Sequence, residues 1–234
     1  MASVWLGTSG FSYKEWRPEF YPAQMPAHDF LKYYATRFNS VEIDSTFYRM
    51  PNARTIDGWK SATGEDFRFS LKASQQITHR EQLRLPSAAL DYLLGIVPRL
   101  EQRLGLLLFQ LPPFLRFDAG RLETFLSFLP GGIRAAMEFR HDSWFCPETY
   151  GLLRAHDVAL CIHDADDHVT PLETPASFTY LRLRRSEYDP AAMARWQQRI
   201  HDWAAGGREV FAYVKHEANP HAALIAQEFA HGAV

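Results

Sequence analysis

Three charged residues lie near the ends of short β-rich runs, at positions from which they could transfer protons. Glu42 and Glu138 could act as a general acid and a general base, as paired carboxylates do in glycosidases. Lys72 could orient a carboxylate or stabilise developing negative charge. A Schiff-base role for Lys72 is disfavoured, because nearby carboxylates should raise the pKa of its amine and keep it protonated. We therefore predict that Glu42, Lys72 and Glu138 are the catalytic residues.

A larger set of polar residues lies at or just after the ends of these β-rich runs. Side chains alternate across a β-strand, so residues spaced two apart share one face. The charged part of this face has five cations and three carboxylates, a balance that predicts an anionic ligand. The alternative is a closed network of ion pairs that needs no ligand, because buried charges are usually paired. The predicted substrate-binding residues are Asp44, Tyr48, Gln110, Arg140, His141, His163, Arg182, Arg184, Tyr213 and Lys215.

Oxygen and imidazole side chains in the same region could bind a divalent metal ion. The candidate ligands are Glu42, Asp44, Glu138, His141, His163, Asp164 and His216. No HxH or HxxxH spacing occurs among them, and the neighbouring cations would repel a metal ion. The sequence therefore predicts no metal site.

Eight short β-rich runs must position these residues. The predicted strands are Val4–Ser9, Ser40–Asp44, Phe67–Lys72, Gly105–Leu111, Arg134–Arg140, Val158–Asp164, Ser177–Arg184 and Glu209–His216. The predicted helices between them are Asp29–Phe38, Arg54–Ala62, Ser87–Leu104, Ala119–Leu129, Pro147–Ala155, Pro190–Ala204 and His221–His231, with an irregular loop at Ala165–Ala176. This alternation is typical of parallel βα units. It predicts an α/β fold, a single (β/α)8 TIM-like barrel whose parallel sheet is closed.

The strand ends of such a barrel converge at one mouth, where barrel enzymes place their sites. A doubly wound open sheet is the alternative fold, and it would normally carry a glycine-rich phosphate loop after its first strand. The string Gly7-Thr8-Ser9-Gly10 matches neither the dinucleotide fingerprint nor the P-loop. The closed barrel is therefore favoured, and the sequence assigns no cofactor.

The composition predicts one cytoplasmic domain over residues 1–234. No linker-like stretch divides the 234 residues, of which 47% are hydrophobic. The net charge of −2 does not support a nucleic-acid partner, and neither a signal peptide nor a membrane span is predicted. Cys146 and Cys161 are too few for a disulfide framework and are expected to be reduced, Cys161 as a buried, inert thiol. The sequence does not indicate an oligomeric state.

Several strings of the chain resemble the YecE-like family, a domain of unknown function numbered seventy-two. They are Gly7-Thr-Ser-Gly-Phe-Ser-Tyr-Lys-Glu-Trp16, Phe20-Tyr-Pro22, Asn39-Ser-Val-Glu-Ile-Asp-Ser-Thr-Phe-Tyr-Arg-Met-Pro51, Phe67-Arg-Phe-Ser-Leu-Lys72, Ile77-Thr-His79, Leu107-Leu-Phe-Gln-Leu-Pro-Pro113 and Glu138-Phe-Arg-His-Asp-Ser-Trp144. The resemblance implies a TIM barrel and no particular reaction. The barrel is similar to those of the xylose-isomerase-like and endonuclease-like proteins, which is an analogy of fold only.

Two late segments depart from this family pattern. Many members have a tyrosine-arginine-leucine-histidine-glycine string on strand seven, where this chain has Tyr180-Leu-Arg-Leu-Arg184. Many members also have a paired asparagine on strand eight, where this chain has Tyr213-Val-Lys-His216. These changes make the mouth more cationic than the family pattern implies.

The leading hypothesis is an enzyme that acts by hydrolysis, isomerisation or elimination on a small anionic substrate, a class that includes phosphorylated compounds. Arg140, Arg182 and Lys215 would bind the anion, and Glu42 or Glu138 would be the acid or base. A second hypothesis is a barrel that binds an anion or a nucleic-acid end without turnover. A third is a metal-assisted phosphoester hydrolase.

Overall fold

A computed structural model describes residues 2–215 and 221–233, and its central feature is a sheet of eight parallel strands. The strands are β1 Val4–Thr8, β2 Ser40–Ile43, β3 Arg68–Lys72, β4 Leu104–Gln110, β5 Ala135–Glu138, β6 Ala159–Asp164, β7 Phe178–Leu183 and β8 Glu209–Val214. Their order is β1-β8-β7-β6-β5-β4-β3-β2, so the last strand pairs with the first. The predicted barrel is confirmed, with strand ends that differ from the prediction by at most two residues.

Helices cover the outside of the sheet. They are α1 Phe30–Tyr34, α2 Ala53–Ala62, α3 Ala88–Ile96, α4 Ala119–Phe128, α5 Pro147–Ala155, α6 Pro190–Ala205 and α7 His221–Ala233. The side chains of Ser87, Asp118 and Asp189 accept hydrogen bonds from backbone N–H groups at the starts of α3, α4 and α6. These caps satisfy donors that have no partner inside a helix.

Two predicted helices are shorter in the structure. The helix predicted over Asp29–Phe38 is α-helical only at Phe30–Tyr34, and the chain then tightens into i→i+3 hydrogen bonds before Asn39. The helix predicted over Ser87–Leu104 ends at Ile96 and continues as a 3₁₀ segment that contains Pro98. Proline has no N–H to continue an α-helical ladder. The predicted loop at Ala165–Ala176 contains no helix.

Side chains help to close the seam between β1 and β2. The backbone N–H of Leu6 donates to Oδ1 of Asn39, and the N–H of Thr8 donates to Oη of Tyr34. A single parallel bridge joins Ser9 to Glu42 at the upper end of the seam. The barrel therefore closes beside Glu42, near the C-terminal end of β2.

The barrel interior changes from apolar to charged along the strands. The pattern is clearest in β7, where Phe178 lies lowest and Tyr180 and Arg182 follow above it on the same face. The Tyr180 layer also contains Tyr213, whose hydroxyl forms hydrogen bonds with Ser40 and Ser70. The charged cluster around Arg182 thus lies at the C-terminal mouth, while Arg68, Arg134 and Glu209 lie at the opposite end of the barrel.

Gly7 lies where β1 and β2 approach most closely, and its replacement tests the seam. An added Cβ would lie 2.0 Å from the carbonyl oxygen of Ser40 and 2.6 Å from Oη of Tyr34. We expect Gly7→Ala to lower the free energy of unfolding by about 3 kcal/mol or more, because backbone must move to relieve the overlap. Urea denaturation measures the change.

Gly58→Ala is the matched control, because no atom lies within 4 Å of its added Cβ on exposed α2. It should be neutral or stabilise the protein by up to about 1 kcal/mol. Equal effects of the two substitutions would contradict the tight seam.

Candidate functional site

The buried guanidinium of Arg182 occupies the centre of the mouth, with no exposed surface. Its Nη1 donates to Oε2 of Glu138 at 2.8 Å, and its Nη2 donates to Oδ1 of Asp44 at 2.9 Å. Both Nε and Nη2 also donate to Oε1 of Glu42, and Nη1 reaches Oε1 of Gln110 at 3.5 Å. These five contacts account for the five N–H groups of a guanidinium.

This arrangement changes the role predicted for Arg182. The strand pattern predicts that Arg182 contacts an anion directly, but every N–H group of its guanidinium already faces a protein acceptor. A buried cation needs such partners, because losing its hydration is costly. Arg182 therefore holds the site together and has no donor left for a ligand.

Glu42 is held as a carboxylate. Its Oε1 accepts a hydrogen bond from Ser9 at 2.6 Å, and its Oε2 accepts one from the hydroxyl of Tyr180. Burial alone would raise its pKa, but the charges of Arg182 and Arg184 and the hydrogen bonds from Arg182 and Ser9 lower the pKa of Glu42 to about 2. With both oxygens engaged, Glu42 is a poor proton donor or acceptor near neutral pH.

Glu138 is held in the same way on the opposite side of Arg182. It pairs with Arg140 through Oε1, and the thiol of Cys161 lies 3.8 Å from Oε2. Burial opposes ionisation, yet the charges of Arg182 and Arg140 keep the pKa of Glu138 well below its usual range. Burial also raises the pKa of the Cys161 thiol well above its ordinary value. This agrees with the expected reduced, inert cysteine.

Asp44 and Lys72 have pKa values that are shifted towards each other. Burial and the charge of Glu42 raise the pKa of the Asp44 carboxyl above its ordinary value. Burial and the charge of Arg182 lower the pKa of the Lys72 amine to about 8, against the pull of the nearby carboxylates. The expectation that carboxylates keep this pKa high is therefore wrong, because desolvation is the larger effect.

Lys72 has unusual surroundings for a lysine at a charged site. Its Nζ lies 4.2 Å from the centre of the Phe47 ring, a cation–π contact. Within the described residues, no carboxylate oxygen lies within 4.0 Å of this Nζ. Its charge is therefore held near the acids without being neutralised by a direct ion pair.

Two further arginines border the cluster with buried N–H groups that have no hydrogen-bond partner among residues 2–215 and 221–233. Arg140 pairs with Glu138 through Nη2, but its Nε is unpartnered. Arg184 lies 3.8 Å from Asp44 through Nη2, and neither its Nε nor its Nη2 forms a hydrogen bond. Unsatisfied buried donors are rare in folded proteins, so these atoms are favourable positions for an anion.

The imidazole of His163 points into the barrel beside these arginines. Only 2% of the residue is exposed, and its Nδ1 has no partner. Burial lowers the pKa of His163 to about 4, so the ring is neutral at pH 7. Its neighbour Asp164, also a candidate metal ligand, lies on the other face of β6. Asp164 faces away from the mouth and accepts hydrogen bonds from Arg185 and Trp196.

The other predicted binding residues lie further from the charges. His141 caps a turn by accepting a hydrogen bond from the N–H of Ser143, and Tyr48 is 76% exposed at the rim. Tyr213 lies one layer below the mouth, where its hydroxyl is buried and forms a hydrogen bond with Ser40. Lys215 is half-buried just after β8.

Sequence reasoning omitted several residues that complete this cluster. Ser9 and Tyr180 donate hydrogen bonds to Glu42. Ser9 directly follows β1 and Tyr180 shares the inward face of β7 with Arg182, and these positions could have identified them. His168 and Thr170 lie in the loop after β6. No periodicity marks these two, because the loop is irregular and its path depends on tertiary contacts.

The sequence predicts neither a metal site nor a membrane-spanning helix. In residues 2–215 and 221–233, no three His, Cys, Asp or Glu side chains come together in an arrangement that could hold a metal ion. The candidate ligand His216 lies outside the described residues. Among the described helices, none is both long and apolar enough to span a membrane.

Comparisons with known proteins identify relatives without a stated activity. The family model described as "Protein of unknown function DUF72" matches residues 5–233. A DUF72 family protein from Thermotoga maritima, of known crystal structure, has a TM-score of 0.86 and 26% identity, covering 98% of each chain.

Two sequence relatives are UPF0759 proteins. YunF of Bacillus subtilis is 29% identical over 157 residues, which are 63% of this chain and 54% of YunF. YecE of Escherichia coli strain K12 is 34% identical over 116 residues, which are 49% of this chain and 43% of YecE. The chain thus spans about half the length of the curated relatives it matches.

Removing the central cation should destabilise the fold in a pH-dependent way. At pH 7, we expect Arg182→Met to lower the free energy of unfolding by about 3–5 kcal/mol, because the buried carboxylates lose their main partner. The matched control is Arg99→Met, which breaks an exposed pair with Asp57 and should cost less than about 1 kcal/mol. Urea denaturation at pH 7 compares the two variants.

The difference between Arg182→Met and the wild type should shrink towards pH 4. In the wild type, the pKa of Glu42 falls from an ordinary 4.5 to about 2 on folding, so stability is lost as the pH falls between these values. In the variant, burial without Arg182 raises the carboxyl pKa values, and folding then takes up protons. A loss that is independent of pH would contradict the ion cluster.

Proposed function

The chain belongs to the DUF72 family of proteins of unknown function, as its resemblance to the YecE-like proteins predicts, and from this premise we propose that the mouth of its barrel is an active site. The proposed enzyme acts on a small anionic substrate by acid/base catalysis. The observation that carries the proposal is the set of buried, unpartnered guanidinium N–H groups on Arg140 and Arg184, beside a lysine without a direct ion pair.

Arg140 and Arg184 bind the anion in this proposal. Three carboxylates face four cations at the centre of the mouth, and Arg182 alone contacts all three carboxylates. The remaining positive charge lies on Arg140, Arg184 and Lys72, all of which are partly buried. In such a low-dielectric environment, a guanidinium binds an anion more strongly than it would in water.

Lys72 and Asp44 transfer the protons. A useful catalytic acid or base has a pKa near the working pH, and the pKa values of both Asp44 and Lys72 are shifted in that direction. Asp44, as a carboxylate, accepts a proton from the substrate. Lys72, as an ammonium, donates a proton or stabilises negative charge that develops on the substrate.

Glu42 and Glu138 act through Arg182 in this proposal. Their low pKa values support a positioning role more than the acid or base role that the sequence suggests. Together with Arg182 they form a rigid charged floor for the site, and Arg182 holds Asp44 at 2.9 Å. A fixed floor of this kind lowers the reorganisation needed when charge develops during a reaction.

Anion binding is tested by thermal shift with phosphate, sugar phosphates, nucleotides, carboxylates and divalent metals. We expect at least one class of anion to raise the melting temperature, since a ligand that binds only the folded state stabilises it. Arg184→Met should abolish the shift, whereas Arg99→Met, on the surface, should keep it. A shift with metals alone, or no shift with any anion, would refute the proposal.

Proton transfer is tested by the pH dependence of kcat/KM with a substrate from that screen. We expect activity to rise as Asp44 loses its proton and to fall above about pH 8 as Lys72 loses its own. Lys72→Met should reduce kcat at least about a hundredfold. Lys60→Met, which breaks a surface pair with Glu101, is the control and should keep kcat. Normal turnover by Lys72→Met would remove Lys72 from the mechanism.

A further inference from the structure

Buried polar atoms without a hydrogen-bond partner are concentrated on one side of the mouth. In the described part of the chain, eleven buried side-chain nitrogen or oxygen atoms have no hydrogen-bond partner, and seven of them belong to six residues at the ends of β5, β6 and β7 or in the loop after β6. One of the seven, Oε1 of Glu138, is in an ion pair with Arg140. The other six are Nε of Arg140, Nε and Nη2 of Arg184, Nδ1 of His163, Nε2 of His168 and Oγ1 of Thr170.

The loop after β6 folds back and carries two of these residues to the others. The N–H of Ala165 donates to the carbonyl of His168, and the N–H of Thr170 donates to the carbonyl of His163. These bonds place the His168 ring 6.0 Å from the His163 ring, between centroids. The ring of Phe145 stacks on His168 at 5.8 Å. The position of His168 is therefore fixed by contacts with two rings.

All six atoms can donate a hydrogen bond. Guanidinium N–H groups and a hydroxyl are donors, and a neutral imidazole donates from the nitrogen that carries its proton. The charges of Arg140 and Arg184 act on His163, so these three side chains share one electrostatic environment. Leaving so many buried donors unpaired would cost the fold several hydrogen bonds, a cost that a bound acceptor would remove.

We propose that these five residues form a subsite for a phosphate group, with His168 and Thr170 as binding residues alongside Arg140, His163 and Arg184. This inference rests on the proposed function and adds the substrate class, a phosphate monoester. A phosphate presents three terminal oxygens in a tetrahedron and carries close to two negative charges at neutral pH. The donors come from the ends of β5, β6 and β7 and from the loop after β6. Such a set matches a tetrahedral phosphate better than a planar carboxylate, which has only two oxygens.

The subsite is tested by isothermal titration calorimetry of the full chain with inorganic phosphate, glycerol phosphate and acetate. We expect both phosphates to bind more tightly than acetate. His168→Phe keeps the stacking on Phe145 and loses the Nε2 donor, and Thr170→Val loses the hydroxyl at similar volume. Each should weaken phosphate binding about tenfold or more, the effect of losing a hydrogen bond to a charged group.

Matched variants separate binding from folding. His168→Gln and Thr170→Ser keep a donor near the same place and should retain most of the affinity. His28→Phe and Thr124→Val change an exposed histidine and an exposed helix threonine, and should bind phosphate like the wild type. Melting temperatures without ligand identify any variant that fails to fold. If His168→Phe fails to fold, the phosphate affinity of Thr170→Val still tests the subsite, with Thr170→Ser as its control.

The outcomes distinguish this inference from the proposed function. If acetate binds as tightly as phosphate, or if His168→Phe and Thr170→Val leave phosphate affinity unchanged, the phosphate subsite is wrong. The anion site of the proposed function survives that result when Arg184→Met still abolishes binding. If the wild type binds no anion, both proposals fail together.

Discussion

Burial of one positive charge organises the mouth of this barrel. Arg182 has no exposed surface, and an isolated guanidinium at that depth would be too costly to bury. Its N–H groups therefore recruit Glu42, Asp44 and Glu138, which lie on or just after β2 and β5. The ion cluster links strands that are far apart around the barrel, and each partner removed would leave a buried charge uncompensated.

The cluster and the closure of the barrel depend on the same residues. The carboxylate of Glu42 accepts a hydrogen bond from the Ser9 hydroxyl, where one parallel bridge joins Ser9 to Glu42 between β1 and β2. Below it, Asn39 and Tyr34 supply side-chain hydrogen bonds to the backbone of β1. A weak seam is thus reinforced from above by the carboxylate that also pairs with Arg182. Stability and site geometry are coupled at Glu42.

Part of the positive charge at the mouth lies outside the pairs that Arg182 forms. Arg182 contacts all three carboxylates, whereas Nη2 of Arg184 lies 3.8 Å from Asp44 and neither its Nε nor its Nη2 forms a hydrogen bond to the described residues. Arg140 pairs with Glu138 and also has an Nε without a hydrogen-bond partner among them. The charges of both arginines act on His163, whose ring lies 6.0 Å from the ring of His168. The unpaired donors therefore lie on the side of the mouth formed by the ends of β5, β6 and β7.

The sequence by itself determined the barrel and the face on which the polar residues lie. Strand alternation has a period of two, and strand ends in a parallel barrel converge, so Glu42, Glu138 and Arg182 could be placed at one mouth without a structure. Which charge pairs with which was decided only by the tertiary structure, because it depends on distances across the barrel and on burial. Desolvation lowers the pKa of Lys72 although carboxylates surround it. Desolvation also raises the pKa of Asp44, whereas that of Glu42 is lowered by its cationic partners. His168 entered the site through the fold of an irregular loop, whose path no local pattern specifies.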